Sequence, residues 1–157
     1  MTNSLALPKL SMVFSHPVTE LIASGRWGEV RAVICANGKN WTRDFLDKEL
    51  DQLIIGTFPV TSARDRCLVW FQELADEGRL PPKRFRNEAA TLIACCFEIR
   101  GRQIRFPCFR DGMCWVITHG FFKPGAKKKL GAWPPEQVER ADRLRDEYRQ
   151  RKALLQG

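Results

Sequence analysis

The stretch WVITHGFFKPGAKKKL, Trp115 to Leu130, sets His119, one of two histidines in 157 residues, beside Phe121, Phe122 and Lys123. It then runs into Lys127, Lys128 and Lys129. Histidine is the side chain best suited to shuttle a proton near neutrality. Guanidinium groups fork onto phosphate oxygens, ammoniums act as point charges, and aromatic rings stack on bases. Arg100, Arg102, Arg105 and Arg110 lie just upstream, and between Arg100 and Lys129 a single carboxylate, Asp111, opposes all these cations. Nearly the whole net charge of +8 is concentrated there. A basic region this local attracts phosphate backbones through counterion release. The bland alternative is a strand end with a solvated tail.

The elements that must carry these residues are readable by period. WGEVRAVICANG alternates as a strand and leaves through the turn pair Asn37-Gly38. NWTRDFLDKELDQLI spaces Phe45, Leu46, Leu50 and Leu53 as an amphipathic helix after an Asn40 or Thr42 cap. TSARDRCLVWFQELADEG follows with a Thr61 or Ser62 cap and a Gly78 stop, and RLPPKRFRNE reads as a loop. TLIACCFEIR, RQIRFPCFR and MCWVITHGFF are strands joined by short links, which favours an antiparallel meander. Pro107 cannot donate within a ladder, so a bulge or early strand end is expected there. Parity puts Arg100 and Arg105 on the face opposite the helices, but leaves His119 unplaced because both faces of its strand are apolar. WPPEQVERADRLRDEYRQRKALLQ starts on prolines and carries a narrow stripe of Val138, Ala141, Leu144, Tyr148 and Leu155. The order strand, helix, helix, three strands, helix predicts an α+β domain.

The length suits one domain with a real core. No apolar run approaches the ~18–20 residues that span a membrane. No leader is read at the start, so a cytoplasmic protein is expected. Cys35, Cys67, Cys95, Cys96, Cys108 and Cys114 lack zinc-type spacing. They read as buried thiols, with no metal and no cofactor expected.

The order of elements, with GKNWTRDFLDKEL, LVWFQELADEGRLPP, CFEIRGRQIRFPCF and ITHGFFKPGAKKKLGAWPPEQVERADRLRDEY, resembles the RelE/HigB-type toxins of bacterial toxin–antitoxin systems, in their phage-derived HigB-like branch. The resemblance spans roughly residues 27 to 152. It implies a RelE/ParE-like fold: a small antiparallel sheet with two helices on its N-terminal side and a C-terminal helix. The toxin domain would be 26–157, after an extension over 1–25 of unknown role. The implied activity is ribosome-dependent, metal-free cleavage of messenger RNA, in which the substrate's own 2′-hydroxyl attacks the adjacent phosphate. That chemistry needs a base, cations for the phosphorane and an acid for the departing 5′-oxygen. Arg100 and Arg105 match the family's strand arginines, and with Lys123 at the FFK position and His119 as proton shuttle they are the expected catalytic residues. Arg102, Arg110, Phe121, Phe122, Lys127, Lys128 and Lys129 would contact RNA and ribosome. A helix-turn-helix antitoxin is the implied partner. Tyr148, the sole tyrosine, reads as core rather than catalyst. Two alternatives stand: a non-catalytic RNA- or protein-binding module on the same fold, and a ParE-like gyrase inhibitor.

Overall fold

The computed structural model describes residues 16–89, 92–124 and 133–156. Chain order begins with strands β1 (Thr19–Ser24) and β2 (Glu29–Val33). Helix α1 (Trp41–Asp44) continues as a π-helical segment over Phe45–Leu50. The hairpin β3 (Ile54–Thr57) and β4 (Val60–Ser62) leads into α2 (Ala63–Glu77). Strands β5 (Phe85–Ala89), β6 (Leu92–Ile99), β7 (Arg102–Arg110), β8 (Cys114–Ile117) and β9 (Phe121–Lys123) follow, and α3 (Pro135–Gln156) is last.

The expected small antiparallel sheet is not what forms. A seven-stranded mixed sheet runs β1-β2-β8-β7-β6-β5, with β9 also paired to β7 and β2 parallel to β8, and β3–β4 stand apart as a second, two-stranded sheet. The RelE/ParE-like expectation of fold is therefore corrected. The β3–β4 hairpin begins at Ile54, the last residue of the expected first helix, and two strands of the main sheet come from segments whose sequence hid them. β1 lies inside the stretch assigned to the extension, and β5 inside the proline-rich stretch assigned to a loop. Both are edge strands held by backbone pairing to one neighbour, so neither needs a strong apolar alternation. The β6–β7–β8 meander forms as expected. The parallel β2/β8 pair joins segments distant in sequence, which local pattern does not report.

Local chemistry explains the helix ends. The Asn40 side chain accepts from Arg43 N at 2.9 Å. Ser62 and Asp65 form a reciprocal capping box on α2, which ends at Gly78 in the left-handed region. The buried residues of the first helical segment, Phe45, Leu46 and Leu50, fit its wider π turn, and Asp51 N reaches back to Leu46 O.

The sheet is covered on both faces. Phe71, Leu74, Leu46 and Leu50 pack on one side against Phe97, Ile104, Phe106 and Ile117. On the other, Ala141 and Trp133 cover Leu92, Ala94, Cys96 and Phe121, while Tyr148 covers Val33, Phe109 and Val116. That double cover makes the central strands near-continuous apolar runs, and it explains why parity could not orient the His119 strand. The face expected to lie open opposite the helices is the seat of α3. Leu155 leaves the apolar stripe and is exposed, while Arg151 is buried in its line, donating to Ile34 O and His16 O.

Candidate nucleic-acid interface

Pro107 creates the central irregularity, but not as a bulge in its own strand. The β6–β7 register is unbroken from Ile93 opposite Cys108 to Ile99 opposite Arg102. The Pro107 carbonyl accepts from Thr118 N at 2.9 Å, so its ring nitrogen faces the same neighbour and offers no donor there. That neighbour breaks instead. β8 leaves β7 after Ile117 and β9 rejoins it at Phe121. In the gap, a Cβ on Gly120 would lie 2.5 Å from Phe106 Cε1 and closer still to Phe45 Cδ2. Only glycine lets the backbone pass this close to the two rings.

His119 turns from the break toward α3 and is 1% exposed. Gln137 Oε1 lies 2.9 Å from its Nε2, and the Thr118 hydroxyl 3.0 Å from its Nδ1. With Gln137 so oriented, Nε2 carries the proton and donates, while the Thr118 hydroxyl lies between Nδ1 and the Pro107 carbonyl, its other acceptor at 3.2 Å. Burial, aided by Arg140 and Arg143 against the raising effect of the Gln137 bond, pushes the imidazole down to about 4. At neutral pH the ring is uncharged, stacked on Phe121, with both nitrogens engaged. It joins the strand break to α3 and is not at a solvent-facing rim.

The expected convergence of arginines fails. Arg100, with Gly101, makes the tight β6–β7 turn at positive φ, and its guanidinium donates to Ile55 O in β3 at 3.3 Å. Arg105 is 3% exposed on the α3 side, donating to Ile104 O and Gln103 Oε1. The parity expectation fails because Arg100 sits in the turn and leaves the pleat. Lys123 pairs opposite Gln103, so Gln103, Arg105 and Lys123 share one face. Arg110 caps the far end of β7, bound to Gly112 O, roughly 26 Å from Arg102 along an extended strand. Phe121 is 5% exposed and packs against Trp133, as a core ring rather than a base platform. Tyr148 is core, as expected, and its hydroxyl donates to Asp111. Lys127, Lys128 and Lys129 lie outside the described residues.

What opens at the break is a cleft of about 490 Å³ between the π turn, Gly120 and the first turns of α3. Two of its cations, Arg140 and Lys39, are seated on a ring. Arg140 lies 4.2 Å and Lys39 4.6 Å from the centroid of Trp41, and beside the cleft Arg102 lies 3.9 Å from that of Phe122. Phe122 is propped edge-on by Phe45 at 5.1 Å. Asp44 answers Lys39 at 2.7 Å and Lys48 at 3.8 Å. Among the described residues Arg140 has no carboxylate partner, and its Nε has no hydrogen-bond acceptor. A guanidinium lying on a ring keeps its in-plane N–H edge available, so such cations are preset for oxyanions.

Lys39, Trp41, Lys48 and Arg140 were not expected in a site. Their helices are near neutral in sum, which conceals how the charges divide between faces. The signal available was the KNW triplet and an arginine in the second turn of a proline-started helix.

Burial pushes the Cys35 and Cys114 thiols up to about 11 and Cys67 higher, and among the described residues no cluster of three or more His, Cys, Asp or Glu could hold a metal. No helix among the described residues is long and apolar enough to cross a membrane. Comparison with known proteins found no matching family model, no matching curated protein and no matching solved structure.

Proposed function

We propose that this protein binds single-stranded RNA through its phosphate backbone, as a cytoplasmic, non-catalytic module. The observation that carries the reading is Arg140: a guanidinium laid on Trp41, lining an open cleft, without a carboxylate partner among the described residues. Arg102 on Phe122 and Lys39 on Trp41 repeat the ring seat nearby, Lys39 with Asp44 as its counter-ion. The net charge of +8 supplies the long-range attraction. RNA rather than another polyanion comes from the likeness of the β7–β9 residues to the HigB-like toxins. Binding without cleavage is the reading taken because, among the described residues, His119 and Arg105 are enclosed while Arg100 sits in the β6–β7 turn.

Fluorescence anisotropy of a labelled single-stranded oligoribonucleotide tests this. Arg140→Gln should weaken binding about tenfold at low salt, the scale of one charge-assisted contact. Equal affinity of the variant and the parent would remove Arg140 from the interface and the proposal with it.

One arrangement favours a second reading, the ribosome-dependent toxin held in check by a helix-turn-helix antitoxin. Arg105, Gln103 and Lys123 form a row on one face beside His119. Induced expression tests it: growth arrest with truncated messages, abolished by Lys123→Ala, supports cleavage, while normal growth leaves binding alone.

A further inference from the structure

The cleft does not end at Trp41. A second hollow of about 510 Å³ lies on the other side of the same residue, and Trp41 and Lys39 line both. Its remaining wall is Cys35 to Asn37 after β2 and the middle of α3, where Arg143 and Glu147 project. Along α3 the lining side chains follow in order Gln137, Arg140, Arg143 and Glu147, all within three turns of one helix stripe. Arg140 and Arg143 are about 4.5 Å apart along the axis, and long side chains add reach to that spacing.

We infer that the two hollows are one groove, and that it takes a run of consecutive RNA phosphates rather than a single nucleotide. The inference rests on the backbone-binding reading above. Arg140 and Lys39 hold the run at the Trp41 ridge, and Arg143, which is exposed, holds the phosphate beyond it. Glu147 marks the far end. Its Oε1 accepts from Ala36 N at 3.4 Å, which fixes a negative charge where a further phosphate would lie. Asp44 and Glu49 also line the first hollow, Asp44 answering Lys39 and Lys48, so the run follows the α3 arginines, and a row of cations along one wall binds by length, not by base identity.

The test is a length series on the full chain: a uridine mononucleotide, then uridine oligomers of two, four and six units, with a six-unit DNA oligomer alongside. Affinity should climb at least about tenfold from the mononucleotide to the longer oligomers and then level off. Arg143→Gln should narrow the ratio of six-unit to one-unit affinity several-fold. Arg149→Gln, which removes one charge beside Phe109 and away from both hollows, should leave that ratio unchanged. A mononucleotide bound as tightly as the six-unit oligomer, or an unaltered ratio in Arg143→Gln, overturns the continuous groove while RNA binding itself stands. No binding of any RNA overturns both, and DNA held as tightly as RNA keeps the groove but removes RNA as its substrate class.

Discussion

The two sides of the β8–β9 break use the same residue types for opposite ends. On the α3 side, Arg105 and His119 are enclosed, hydrogen-bonded and within reach of helix side chains. On the α1 side, Arg140, Lys39 and Arg102 lie on the faces of Trp41 and Phe122; Lys39 is answered by Asp44, whereas Arg140 has no carboxylate partner among the described residues. A buried cation is held by its own chain and contributes to stability and register. A cation on a ring at a cleft mouth is oriented without being neutralised, which is the condition for holding an external anion. Residue type alone therefore does not mark a site; the partner of each charge does.

Both sides depend on Gly120, so its change is expected to have the largest effect. Gly120→Ala places a methyl against Phe45 and Phe106 and should cost roughly 3 kcal/mol in chemical denaturation, as overpacking does. A loss under 1 kcal/mol would mean that the backbone can move away and that the break is not rigid.

The enclosed side should announce itself through pH. His119 is held neutral in the fold down to about 4, while the unfolded ring protonates near 6.5. Between those values the unfolded chain binds more protons than the native one. The contribution of His119 is thus complete above pH 6.5 and lost as the pH falls toward 4, by roughly 2 to 3 kcal/mol. A His119→Asn variant should show a flatter stability profile across that window. Parallel profiles for variant and parent would mean that the ring is reached by solvent.

Removing a cation from each side separates them further. Arg105→Ala should cost about 2 kcal/mol, since it empties a buried, hydrogen-bonded position. Arg140→Gln should cost no more than about 1 kcal/mol, the scale of a cation–π contact open to solvent on one side. Equal costs for the two would erase the distinction drawn between the faces.

Much of this architecture was legible in the residues. The caps at Asn40, Ser62 and Gly78, the β6–β7–β8 meander, and the proline-started last helix follow from local chemistry that acts over a few positions. β1 and β5 were not legible, because an edge strand can be held by backbone bonds that any side chain permits, and neither was the β3–β4 hairpin, whose first residue continues the apolar spacing of the preceding helix. The site was legible only in part. Arg100 to Lys129 is one basic block in sequence, but the hairpins send Arg110 and Arg102 to opposite ends of β7 and put Arg100 and Arg105 out of register. Lys39 and Arg140 are a hundred residues apart and meet only because α3 crosses the sheet to reach α1. Phe122 keeps its place beside the cleft, though as a seat for Arg102 rather than as a stacking surface.

The most direct test is the salt dependence of RNA binding in three proteins: the parent, Arg140→Gln and Arg105→Gln. Each phosphate contact adds about 0.7 to the slope of log affinity against log salt for a single strand. The account predicts a slope reduced by about 0.7 in Arg140→Gln and unchanged in Arg105→Gln wherever the latter remains folded. A slope that falls in Arg105→Gln and stays constant in Arg140→Gln would place the RNA on the opposite face and contradict the account.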